Sequence, residues 1–288
     1  PLGFHIAEQT GLYRQLVMAA THLNIGYYAW RVGQVTQMKF RDDRTARLSP
    51  ELNAGSVAVQ ILLAKFFDQA DWLTAVYGPQ GFLATYQKLF GDPWAQAAAF
   101  GPLFPEGLQQ PVLELPFQPG ERWSLTGGPH PSWKTGSPRG ALDFAPVTGE
   151  EACTVSARFV LAAANGLVAR AERNAVAIDL DGDGNEQTGW VILYFHLAQK
   201  DLVSAGEWVQ LDDRLGHPSC EGGTSTGTHV HIARKYKGEW ISTSGPLQFI
   251  MSGWTALPGE RIYTGTLVKN NLVVTARQGG NADSLISR

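Results

Sequence analysis

The 288 residues are 44 % hydrophobic and 17 % charged, enough to bury a core and keep a charged surface, which excludes a wholly disordered chain. At roughly 150 residues per domain the length predicts about two domains. Twenty-three Lys and Arg against 26 Asp and Glu leave a net charge of -3, without the basic excess of a general nucleic-acid binder. No apolar run approaches the ~20 residues of a membrane span.

Thirty-two Gly and nine Trp favour tight turns and exposed aromatic platforms over a helical bundle. The chain opens at Pro1 with neither an initiator Met nor the basic and apolar regions of a signal peptide, and so reads as a processed or trimmed start.

Residues 6–100 read as helical. From Leu12, the apolar positions Leu16, Val17, Ala20 and Leu23 recur at helical spacing. A second helix is expected from Ser49-Pro50-Glu51, a cap followed by a first-turn proline, and it continues through Val57, Val59, Ile61, Leu62, Phe66 and Phe67. A third runs over Phe82, Leu83, Tyr86, Leu89 and Phe90 to a stop at Gly91-Asp92-Pro93, because proline lacks the amide hydrogen and restricts its predecessor. Five prolines then fall within residues 101–120, predicting a linker or an extended wrap and a domain boundary.

Residues 121–250 read as β. Short runs at Val160-Leu161, Val168, Val176 to Leu180 and Val191 to Phe195 are rich in β-branched residues and are punctuated by Gly. Residues 251–288 read as a C-terminal extension, with weak strands near Gly265–Val268 and Leu272–Ala276 and then a polar tail.

Of seven histidines, His229 and His231 sit in a segment that reads as a strand. Strand side chains alternate, so the two share a face about 7 Å apart along the chain. Alone, such a pair serves equally as two hydrogen-bonded imidazoles. It is accompanied by Gly127-Gly128-Pro129-His130, which opens a loop ending at Leu142-Asp143-Phe144-Ala145, and by His196 after a buried strand. A flexible Gly/Ser/Thr turn over residues 222–227 precedes the pair.

In this order the residues resemble the M23 zinc metallopeptidases of the lysostaphin, LytM and β-lytic type. Supporting matches include Ala164 to Val168, Gly206 to Val209, Leu215-Gly216-His217 and Ser225-Thr226-Gly227. The resemblance covers about residues 111–250. It implies an antiparallel lysostaphin-like peptidase domain over 121–250, which with the helical reading of an N-terminal domain over 1–100 and the Pro-rich linker over 101–120 makes the expected fold class α+β. It implies His130, Asp143 and His231 as zinc ligands, with the fourth position left for an activated water, as in catalytic zinc sites. It implies His229 as general base, and His196 as a group that orients water or stabilises the tetrahedral intermediate. His5, His22 and His217 match nothing catalytic.

Many members place the first His and the Asp four residues apart, whereas here the separation is 13. The longer loop, similar to that of the β-lytic branch, brings Trp133, Lys134, Pro138 and Arg139 toward the site, as a groove wall or as an ordinary surface loop.

Asp179, Asp181 and Asp183 with Gly184 form the first half of an EF-hand-type calcium loop. Position 12, however, is Trp190, and Asp-Gly between strands is also a hairpin signal. Cys153 and Cys220 permit one disulfide across 66 intervening residues, or stand as free thiols.

The function expected is a secreted, bacterial, zinc-dependent endopeptidase acting on peptidoglycan stem or cross-bridge peptides, with no nucleic-acid partner. The alternative is a latent or non-catalytic wall-binding or activator module of the same fold. The helical domain is expected to be a wall-binding unit, a scaffold or a pro-segment. Oligomeric state is left open.

Overall fold

The computed structural model describes Phe4 and residues 10–288, so the start at Pro1, His5 and the helical reading of residues 6–9 lie outside the described residues. The chain divides into two compact units, one of residues 1–105 with 134–137, the other of residues 106–133 with 138–288.

The first unit runs α1 (Leu12–Arg31), β1 (Gln37–Lys39), β2 (Thr45–Arg47), α2 (Ala54–Ala64), α3 (Gln69–Tyr77), α4 (Phe82–Phe90) and α5 (Pro93–Phe100). The helical reading therefore needs correction: a small antiparallel hairpin, β1 with β2, interrupts it.

The second helix also starts later than expected. Ser49, Pro50 and Glu51 form a turn, and α2 begins after Asn53, whose side chain accepts from Ser56 N at 2.8 Å. A carboxamide satisfies one of the four orphan donors of a helix start, which the Ser49 hydroxyl cannot reach from its own turn. Asp68 and Asp92 cap α3 and α5 in the same way.

Gly26 of α1 has Ala58 Cα of α2 only 2.9 Å from where a Cβ would lie, so the close approach of these helices requires glycine. Met38, Phe40, Leu48, Val57, Ala64, Trp72 and Val76 form the core of this unit. No helix among the described residues is long and apolar enough to cross a membrane.

The second unit carries β3 (Arg122–Pro131), β4 (Arg139–Pro146), β5 (Val160–Leu161), β6 (Gly166–Glu172), β7 (Ala175–Asp179) and β8 (Trp190–Phe195). It continues with β9 (Trp208–Val209), β10 (Arg214–Gly216), β11 (Val230–Tyr236), β12 (Glu239–Trp240), β13 (Ile250–Met251), β14 (Trp254–Pro258), β15 (Gly265–Lys269), β16 (Leu272–Thr275) and β17 (Leu285–Ser287).

The principal sheet is antiparallel, in the order β17-β3-β4-β11-β8-β7-β6-β9, with β12 added to β11. A second antiparallel sheet runs β13-β14-β15-β16. The chain is thus a helical region followed by an antiparallel β domain.

Two expectations are corrected here. The supposed loop from Gly127 to Ala145 is largely two long strands, β3 and β4, with only residues 132–138 left as the loop between them. The polar tail ends in β17, which pairs with β3 and buries Ile286. Its two apolar residues, Leu285 and Ile286, between serines give too short a pattern to read as a strand.

Leu113, Leu115 and Phe117 from the Pro-rich segment are buried in the main core, so its second half is an extended wrap built into the β unit.

Side-chain alternation divides the sheet into two faces. Leu142 and Phe144 of β4, Ile192 and Tyr194 of β8, and Val230 and Ile232 of β11 enter the main core. The residues between them point the other way: Val191 and Leu193 join Phe195 and Trp240 in a smaller cluster. Asp143 and His231 are on this opposite face because each lies one residue from a core position, and a strand reverses its side chains at every step.

Candidate metal centre

Register sets the site. His231 of β11 is paired with Asp143 of β4 on one side and with Phe195 of β8 on the other. Asp143 is in turn opposite Gly127 of β3, where the pairing is irregular and the strand carries His130 toward the same point. Gly127 has a steric reason to be glycine: a Cβ there would lie 2.3 Å from Asp143 Oδ2.

The ligand atoms of His130, Asp143 and His231 all lie within 4.8 Å of one another. Asp143 Oδ1 is 3.2 Å from His130 Nε2, 3.2 Å from His231 Nδ1 and 3.8 Å from His229 Nε2. His130 and His231 approach each other at 3.0 Å through the same two nitrogens. His229 and His231 thus both reach the Asp143 carboxylate, as two residues on one strand face should.

Which nitrogen carries the proton follows from the partners. His130 Nδ1 faces the Gly128 carbonyl at 2.8 Å and His231 Nε2 faces the Ser132 carbonyl at 2.9 Å. A carbonyl only accepts, so each of those nitrogens donates, leaving a bare lone pair on His130 Nε2 and His231 Nδ1. Asp143 Oδ1 is buried and makes no hydrogen bond.

Three Lewis bases therefore converge in a site shielded from water, and they repel one another unless a cation sits among them. Two imidazole nitrogens, one carboxylate oxygen and no thiolate form a donor set that suits zinc and has one position fewer than the four of a closed structural site. The residues present fit the ion.

The electrostatics point the same way. Burial opposes the charge on Asp143, but the neighbouring imidazoles, His130 first, outweigh it and hold the carboxyl well below the usual carboxylate range. Burial also works against protonation of His130, and there the Asp143 charge wins and raises its basicity. His231 is lowered, chiefly by burial. His196 is pushed down to about 4, by burial and then by the charge of His229, so its ring is neutral near pH 7.

His229 and His196 lie side by side with ring centres 4.5 Å apart. His229 Nδ1 donates to the Gly227 carbonyl at 2.8 Å, with Ser225 Oγ at 3.2 Å. His196 Nδ1 donates to the Glu221 carbonyl at 2.8 Å. Both Nε2 atoms are left with a lone pair. His217 is elsewhere, between the Arg158 carbonyl and Asp201. His22 stacks on Phe4 in the first unit.

The residues of the long loop separate. Trp133 contacts Phe195 and Trp240, Arg139 donates to the carbonyls of Gly259 and Glu260, and Lys134 clusters with the first unit. Cys153 and Cys220 are bonded to each other.

Asp179, Asp181 and Asp183 form a second carboxylate cluster, in which Asp179 is buried and the other two are exposed.

Tyr263 was not singled out from the sequence. Its ring stacks on His130 at 4.3 Å, from a backbone with φ 66°, and its carbonyl accepts from Gly128 N. A lone Tyr in a turn before a weak strand carries no pattern that would have marked it.

Residues 1–102 match the family model described as LasA, N-terminal domain. The chain is similar to Protease LasA from two strains of Pseudomonas aeruginosa: 29 % identical over 266 residues for PAO1 and 30 % over 272 for UCBPP-PA14, in each case covering 85 % of this chain. It spans 59 % of the length of these curated relatives.

Among solved structures it is similar to the M23 metalloprotease pseudoalterin from the deep sea, at 23 % identity and a TM-score of 0.47, over 58 % of this chain and 96 % of that one. It is also similar to the catalytic domain of lysostaphin from Staphylococcus simulans, at 21 % identity and a TM-score of 0.30, over 43 % and 89 %.

Likeness to Protease LasA thus runs along both units, and the second unit brings His130, Asp143 and His231 together in one buried cluster with His229 and His196 beside it.

Proposed function

We propose that the chain is a secreted bacterial endopeptidase that uses one zinc ion to hydrolyse peptide bonds in peptidoglycan stem or cross-bridge peptides, with the activity carried by residues 121–250. The observation that supports this most directly is the convergence of three unshared lone pairs, on His130 Nε2, His231 Nδ1 and Asp143 Oδ1, in a buried site. These three residues would hold the metal.

Bound zinc supplies a Lewis acid and lowers the pKa of water from 15.7 to roughly 7. The chain's own groups supply the rest. His229, fixed through Nδ1 to the Gly227 carbonyl, offers Nε2 as the base that takes a proton from the attacking water and returns it to the leaving amine. His196, neutral because it is buried, offers the Nε2 lone pair to accept a hydrogen bond from that water, or from a hydroxyl of the tetrahedral centre, and so to orient it. Tyr263 and Phe195 flank the ligands and narrow the approach of water.

The peptidoglycan substrate rests on the relationship to Protease LasA and on the family pattern, and secretion on that relationship together with a disulfide suited to an oxidising compartment. A non-catalytic wall-binding module would be expected to lack one of the three ligands, and all three are present. The first unit is proposed as a wall-binding, scaffold or pro-segment domain accompanying the peptidase.

The test is metal analysis of the purified protein together with release of wall peptides. About one zinc per chain is expected, with lysis abolished by chelator and restored by zinc. Protein that holds no zinc, or lysis indifferent to chelator, would end the proposal.

A further inference from the structure

His196 stands at the end of β8 with φ 65°, in the left-handed region that a non-glycine residue rarely occupies. No side chain of its own explains the conformation. The restraints come from one short segment, Ser219-Cys220-Glu221.

The His196 carbonyl accepts twice from Ser219, from the backbone N–H and from Oγ, each at 2.8 Å. The Ser219 hydroxyl in turn accepts from Glu221 N at 3.0 Å. The Glu221 carbonyl is the acceptor for His196 Nδ1. Ser219 also receives the N–H of His229 on its own carbonyl at 3.3 Å. Cys220, between the two, is tied to Cys153.

We infer that Ser219 is a positioning residue for the proposed hydrolysis: its buried hydroxyl, linking Glu221 N–H to His196 C=O, holds His196 in its left-handed conformation with the proton on Nδ1. The hydroxyl has one hydrogen and uses it on the His196 carbonyl, so its lone pairs are what remain for Glu221. Losing Oγ removes a restraint at both ends of the imidazole: on the backbone that carries it, and on the carbonyl that fixes its tautomer. Ser219 touches neither Asp143 nor the ligand nitrogens, so the effect falls on the chemical step and leaves metal binding alone. A displacement of about 1 Å in a reacting group is enough to lower a rate substantially.

This rests on the peptidase reading, and the experiment separates the two. In the full-length, zinc-loaded protein, nitrogen-15 NMR of the histidine rings should show His196 protonated at Nδ1 and bare at Nε2. In Ser219→Ala that ring should shift toward a mixture of tautomers. The kcat for wall-peptide release should fall about tenfold, with KM and zinc content within about twofold of wild type. Ser219→Thr, which keeps the hydroxyl, should recover at least about half of kcat.

The inference is overturned by a wild-type ring protonated at Nε2, a measurement that needs no variant. It is equally overturned by wild-type kcat in Ser219→Ala, by Ser219→Thr as slow as Ser219→Ala, or by a loss confined to KM or zinc content. Wild-type protein that releases no wall peptide sinks the peptidase reading, while the ring measurement still decides the positioning claim.

Discussion

Two carboxylate-bearing clusters in the β unit have the separation a metal ion needs, yet their chemistry is opposite. In the first, Asp143 Oδ1 has no hydrogen bond and faces two imidazole lone pairs. In the second, each aspartate has a local partner. Asp179 accepts from the N–H groups of Asp181 and Gly184, and Asp183 accepts from Asn185 N and Thr188 Oγ1. The Asp181 carboxyl is pushed up to about 6, by its contact with Asp179 first and then by burial, so a proton relieves the crowding. Proximity of acids is common, whereas a set of bases that nothing in the protein satisfies is what marks a cation site.

The sharpest way to break this comparison is to remove one base from each cluster. Asp143→Asn should lose bound zinc, and activity should fall by more than the ~10⁴-fold upper range of a lost acid–base group, because the ion goes with it. Zinc content and wall-peptide release measured on one preparation check this. His229→Ala separates metal from proton transfer: about 10²- to 10⁴-fold slower turnover is expected, with zinc retained. Loss of zinc in that variant would make His229 a ligand.

Replacing both Cys153 and Cys220 by Ala should cost about 4 kcal/mol in denaturant unfolding, the chain-entropy value for a loop of this length.

Glu186, in the same β7–β8 connection as the second cluster, accepts from Arg170 at 2.6 Å and from Lys235 at 2.8 Å. Burial opposes its charge, but those two cations hold its carboxyl down to about 2. A depressed carboxylate stabilises the fold above its unfolded value near ~4.3 and loses that contribution as pH falls through about 2. Glu186→Gln should therefore cost about 1 kcal/mol at pH 7, discounted for solvent screening, with the gap to wild type closing between about pH 4 and pH 2.

The smallest effect belongs to Asp181→Asn. Its thermal midpoint at pH 7 should equal or exceed that of wild type, and millimolar calcium should give no heat with either protein. A strong calcium signal abolished by the substitution would erase the contrast between the clusters.

The sequence alone determined that residues two apart in an extended segment share a face, and so that the His229 and His231 side chains turn the same way, which in the structure is toward Asp143. It also marked the buried strand before His196 and the apolar runs of the sheet, because these depend on neighbours a few positions away. Local pattern failed where pairing partners are distant. β3 and β4 read as a loop because Gly and Pro punctuate them, yet the ladder absorbs that irregularity and uses Gly127 to make room for Asp143. β17 exists only because β3 offers an edge.

The tertiary structure alone decided that His130 and His231, 101 residues apart, point bare nitrogens at one carboxylate. It also decided that a tyrosine stacks on the first of them and that His196 is held left-handed by Ser219. The physical reason is that a lone pair is aimed by whatever occupies the other nitrogen. Here those occupants are backbone carbonyls, which every residue carries and no sequence pattern distinguishes.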